Sequence, residues 1–100
     1  MNLIEQNIEK LKKLCFEYNV FQLFIFGSVL NERFNSDSDI DFLVTFQALE
    51  LEQYADNYFD FKFSLEDLFN RPIDLLEDKA IKNPFLKESI DSSKKLIYGS

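Results

Sequence analysis

The chain has 100 residues, 46% of them hydrophobic, enough for one core and one domain over residues 1–100 and too little for two. Its 11 Lys and Arg face 18 Asp and Glu, and the resulting net charge of −7 argues against gripping nucleic acid through its phosphates. The lack of His excludes a Ser-His-Asp triad, a Cys-His pair and His-ligated zinc, so catalysis falls to carboxylates, hydroxyls or an oxygen-bound metal.

A lone cysteine, Cys15, cannot form an internal disulfide and fits a reducing compartment, so the expected location is the cytoplasm. No signal-like start and no membrane-spanning apolar run are present, and no membrane partner is expected. Asn2 and Glu5 stand in a capping-box relation. Ile4, Ile8, Leu11, Leu14 or Cys15, and Tyr18 fall on one stripe behind them, which predicts a single first helix ending at Asn19. Residues 20–26, rich in Phe, Val and Ile, read as a buried strand.

After Gly27, residues 28–34 predict one or two helical turns, and 35–38 a loop. Residues 40–46 form a second strand, apolar on both faces at Phe42-Leu43-Val44, which suits the centre of a sheet. A long helix over 49–69 gathers Leu51, Tyr54, Ala55, Tyr58, Phe61, Leu65, Leu68 and Phe69 into one arc, and Asn70-Arg71-Pro72 ends it. Phe59 and Phe63 lie at the margin of that arc, either as peripheral core or as a patch for a partner. Residues 72–76 give a short third strand, a helix follows Asn83-Pro84, and 94–99 add an edge strand or a tail in which Lys94 and Lys95 are solvated. The expected fold is α+β: a small mixed sheet of three to four strands with helices packed on it.

The chemistry concentrates where the first strand ends and the second begins. If these strands are antiparallel neighbours, Gly27-Ser28 and Asp39-Asp41 face each other across a cleft. Residues two apart on a strand share a face, so Asp39 and Asp41 project together while Ile40 points into the core. Two carboxylates held that close repel unless a proton or a cation lies between them, and Mg²⁺ is the usual hard cation for oxygen ligands. Gly27 lets backbone approach a ligand, and Ser28 would open the short helix where N–H groups attract phosphate. Asp74, set between Ile73 and Leu75 in the third strand, is the best third ligand. Asp60, Asp67 and Asp78 read as solvated surface. A calcium-binding EF-hand is excluded, because Phe42 and Ala48 stand where its Gly and closing Glu are required.

The run Phe26-Gly27-Ser28, ten intervening residues, then Asp39-Ile40-Asp41 and an apolar strand resembles the minimal nucleotidyltransferases of the DNA polymerase beta superfamily. The likeness extends to the long helix and the Pro72-Ile73-Asp74-Leu75-Leu76 strand. It implies a polymerase beta-like nucleotidyltransferase fold, with Gly27 and Ser28 on the nucleotide's phosphates. It also implies two Mg²⁺ ions on Asp39 and Asp41, and Asp74 completing the metal site and helping to activate an acceptor hydroxyl. The implied reaction is in-line attack on the α-phosphorus of ATP or another nucleoside triphosphate, with release of pyrophosphate. Small stand-alone members of the family imply an antitoxin role, in which AMP is added to a tyrosine of a HEPN-type toxin. Where such proteins commonly carry Arg and Gly after Gly-Ser, this chain reads Val29-Leu30-Asn31-Glu32-Arg33; Arg33 is the nearby cation able to meet the triphosphate, at a different offset.

Two other functions share these residues. A binding module of the same fold would neutralise a toxin by contact alone. A small-molecule transferase acting on an aminoglycoside-like alcohol would need a substrate-binding helical domain, for which 100 residues leave no room.

Overall fold

The structure is a computed structural model that describes residues 2–27 and 39–99. Two short helices, α1 (Asn2–Gln6) and α2 (Ile8–Glu17), lead into strand β1 (Val20–Phe26). Strand β2 (Ile40–Phe46), the long helix α3 (Leu51–Phe69) and strand β3 (Ile73–Glu77) follow. A 3₁₀ turn over Asp78–Ala80, helix α4 (Pro84–Ser93) and strand β4 (Lys95–Tyr98) complete the order. The four strands form one mixed sheet in the order β3-β2-β1-β4. β1 pairs antiparallel with both β2 and β4, while β2 and β3 run parallel, with α3 as their crossover.

The expected single first helix is broken at Asn7. There the side-chain amide donates to the Leu3 carbonyl at 2.9 Å, taking the acceptor that the Asn7 backbone N–H would use in a continuous helix. The backbone N–H bonds instead to the Ile4 carbonyl at 3.1 Å, in a tighter turn. Asn2, expected as a cap, is itself the first residue of α1. The break leaves the stripe intact, since Ile4, Leu11 and Cys15 are all buried. At the end of α3, Asn70 takes the left-handed conformation at φ 53°, so the helix closes on an αL cap before Pro72. Asn83 caps α4 by accepting from the N–H groups of Phe85 at 2.9 Å and Leu86 at 3.3 Å, with Pro84 at the first helical position.

One face of the sheet carries the core. Leu23 and Ile25 of β1, Ile40, Phe42 and Val44 of β2, and Ile73 and Leu75 of β3 pack against Leu11 and Cys15 of α2 and Phe61, Leu65 and Phe69 of α3. Burial pushes the Cys15 thiol up to about 12, which fits a packing role. A register shift between Val20 and Gln22 carries Phe21 out of the alternation, and its ring is exposed. Leu43 is buried outside the core cluster, as is Ile90 of α4, so the centre of β2 is covered on both faces.

The arc along α3 is only partly buried. Phe61, Leu65 and Phe69 are covered, whereas Leu51 is 90% exposed and Ala55 is also exposed. Periodicity gives the direction of a side chain, and none of the described residues covers Leu51 at the helix's first turn. Phe59 and Phe63 stack on each other with centroids 6.2 Å apart and stay exposed. Tyr54 and Tyr58 turn inward to β3, where Tyr54 donates to Glu77 and Tyr58 to the Leu75 carbonyl at 2.5 Å. Among the described residues, no helix is long and apolar enough to cross a membrane.

Candidate active site

Strand register assembles the site. In β2 and β3, Asp41 lies directly beside Asp74, while the neighbouring pairs Ile40–Ile73 and Phe42–Leu75 turn into the core. Across the other edge of β2, Asp41 pairs with Phe26, the last residue of β1. Asp41 and Asp74 therefore belong to the sheet face opposite the core, at the end where β1 finishes and β2 and β3 begin, with Asp39 immediately before β2.

Asp41 and Asp74 approach closely enough for a side-chain hydrogen bond, which two carboxyl groups can form only when one keeps a proton. Asp41 is half-buried and holds its proton more tightly than an ordinary carboxyl. Burial, then the charge of Asp74, then that of Asp39, and finally the hydrogen bond itself push its carboxyl up to about 6. Asp39 is exposed and stands outside that contact, though close enough for its charge to act on Asp41. Among the described residues, no three His, Cys, Asp or Glu side chains are gathered into a ready metal cage. The donor set nonetheless suits a hard divalent cation: the ligands are all oxygen, and the charges of Asp74 and Asp39 make ionising Asp41 costly.

Gly27 makes this arrangement possible. Its φ of 81° is costly for other residues, and a Cβ there would overlap a carboxylate oxygen of Asp41 and come within 3.0 Å of its Cγ. Gly27 was expected to let backbone approach a ligand; what the structure shows is that it makes room for the Asp41 side chain. Ser28 and Arg33, expected at the nucleotide's phosphates, lie outside the described residues.

Lys94 is a residue that the sequence reading passed over as solvated tail. Its side chain is only 24% exposed, its ammonium lies 4.3 Å above the Phe24 ring, and it pairs with Asp91 at 2.8 Å. The one available signal was its place immediately before an edge strand. A cavity of about 210 Å³ lined by Thr45, Phe46, Gln47, Tyr54, Glu77 and Lys79 sits at the opposite end of β2, too far along the strand to serve the carboxylates.

Comparison with known proteins agrees with this geometry. Residues 9–100 match the family described as Polymerase beta, Nucleotidyltransferase. The chain belongs to that family. Two Methanocaldococcus jannaschii proteins named as protein adenylyltransferases are 38% identical over 96 residues and 34% identical over 103, each match covering 95% of this chain and 93% of the relative. Among solved structures, a minimal nucleotidyltransferase superposes with a TM-score of 0.76 at 24% identity, covering 92% of this chain and 90% of that one. A chain from a toxin–antitoxin crystallised with AMP-PNP gives 0.72 at 20% identity, over 94% of this chain and 74% of that one. One from the complex of a tri-AMPylated Shewanella oneidensis HEPN toxin with its MNT antitoxin gives 0.66 at 19% identity, over 96% and 72%. These structural likenesses establish a nucleotidyltransferase fold, and the family assignment makes the chain a nucleotidyltransferase.

Proposed function

We propose that this nucleotidyltransferase moves AMP from ATP to a hydroxyl on a partner protein, as the antitoxin of a HEPN-type toxin in the cytoplasm, with Asp39, Asp41 and Asp74 as its catalytic carboxylates. The reading rests above all on one observation, the close Asp41–Asp74 pair on neighbouring strands beside Gly27. The names of the M. jannaschii relatives support a protein as acceptor. The toxin–antitoxin neighbours support the HEPN partner and the adenosine triphosphate.

Asp39, Asp41 and Asp74 would hold Mg²⁺. Gly27, Ser28 and Arg33 meet the phosphates. When bound, the cation neutralises phosphate charge and polarises the α-phosphorus. Asp74 orients the acceptor hydroxyl and takes up its proton as the oxygen attacks the α-phosphorus; the bond to the bridging oxygen breaks and pyrophosphate leaves. No nucleic acid is required, and the charge of −7 disfavours one as partner.

The test is to incubate the purified protein with Mg²⁺, labelled ATP and a candidate HEPN-type partner protein. Label transferred to the partner by wild type, and absent with Asp39→Asn or Asp41→Asn, is the expected result. A tight complex without label, unchanged by either substitution, would replace catalysis with neutralisation by contact.

A further inference from the structure

A nucleoside triphosphate brought to the carboxylates carries several negative charges into an acidic neighbourhood. The interval 28–38 does little to offset them, since its one cation, Arg33, is outnumbered by Glu32 and Asp37. A cation from elsewhere in the fold would add to what Mg²⁺ and Arg33 supply, and strand register shows where one stands. Asp74 pairs with Asp41, Asp41 pairs with Phe26, and on the far side of β1, Ile25 pairs with Lys95. In the antiparallel β1–β4 pair, the next position outward from Ile25–Lys95 is Phe26 with Lys94. Asp74, Asp41, Phe26 and Lys94 thus form one row across the end of the sheet.

The face is right as well as the row. Phe24 pairs with Leu43, which lies two residues from Asp41 on the same side of β2, so the Lys94 ammonium above the Phe24 ring is on the carboxylate face. Two strand spacings put the Lys94 backbone roughly 10 Å from that of Asp41, a gap that an extended triphosphate can bridge. Its ammonium is held in place by the Phe24 ring and by Asp91, a half-exposed partner also shared with Lys87 at 3.5 Å. A phosphate is more highly charged than Asp91 and can take over the ammonium without moving the backbone.

We propose that Lys94 binds the outer phosphates of the nucleoside triphosphate and so orients the α-phosphorus toward Asp41 and Asp74. The inference rests on the nucleotidyltransferase reading and adds to it a binding residue from the last turn before the edge strand.

The test is calorimetric titration with Mg-ATP and, separately, with AMP, for wild type, Lys94→Ala, Lys94→Arg and the neighbour control Lys95→Ala. Lys94→Ala should weaken ATP about ten- to a hundredfold, the worth of a charge-assisted contact, and leave AMP unchanged. Lys94→Arg should restore most of the loss, and Lys95→Ala should bind as wild type does. Equal losses for ATP and AMP would make Lys94 a structural residue and overturn the proposal, as would an unaltered ATP affinity. Wild type that binds neither nucleotide would instead sink the nucleotidyltransferase reading itself, and this inference with it.

Discussion

The two faces of the sheet are built from alternate residues of the same strands and obey opposite rules. On one face Ile40, Phe42, Ile73 and Leu75 are buried against α2 and α3. On the other, one residue away each time, Asp41 and Asp74 crowd two carboxyls together beside Gly27. The first face stabilises the fold by removing apolar surface from water. The second works against it at neutral pH, since ionising Asp41 sets like charges side by side. The core face holds the backbone rigid enough to keep the carboxylates in register, and the cluster uses part of that stability for chemistry.

The largest effect that can separate the faces is a core truncation. Phe42→Ala removes a fully buried ring that packs 6.0 Å from Phe69, and should cost about 3–5 kcal/mol in chemical denaturation. A substitution one residue earlier should do the reverse. Asp41→Asn is expected to lower transfer more than about a hundredfold, beyond the loss of an outer-shell metal partner. It should also leave the fold as stable at pH 7 as wild type, or about 1 kcal/mol more so, because this half-buried site is partly screened by solvent.

The same pair yields a pH prediction. The Asp41 carboxyl sits at about 6 in the folded chain against an ordinary 3.8, so folding takes up a proton between those values. Its stabilising contribution is complete below about pH 4 and lost as pH rises through 6. Denaturation midpoints of wild type relative to Asp41→Asn should therefore fall across that window; a flat difference would mean that folding does not raise the Asp41 carboxyl. A small effect is expected far from both faces. Asn83→Ala deletes the cap of α4 and should cost about 1 kcal/mol without altering nucleotide affinity, as checked by denaturation and titration on one sample.

Much of this contrast was legible in the chain. β1 and β2 have the limits that their Phe- and Ile-rich runs indicated, and Asp41 turns away from the core between Ile40 and Phe42 because strand period forces it. What could not be read were relations between distant segments. Nothing in residues 72–76 states that β3 runs parallel to β2 with Asp74 beside Asp41. The break at Asn7 depends on a side chain competing for one carbonyl, and the exposure of Leu51 on none of the described residues covering it. Lys94 was read as tail because two lysines near an end look solvated; only the register of β4 brings it into line with Asp41.

The most direct measurement is the Mg²⁺ dependence of the denaturation midpoint at pH 7 for wild type, Asp41→Asn and Asp74→Asn. If the outward carboxylates bind a divalent ion, the wild-type midpoint rises saturably, toward about 2.7 kcal/mol at a hundredfold excess over the dissociation constant, and both variants stay flat. A wild type indifferent to Mg²⁺, or variants that gain as much as it does, would contradict the account.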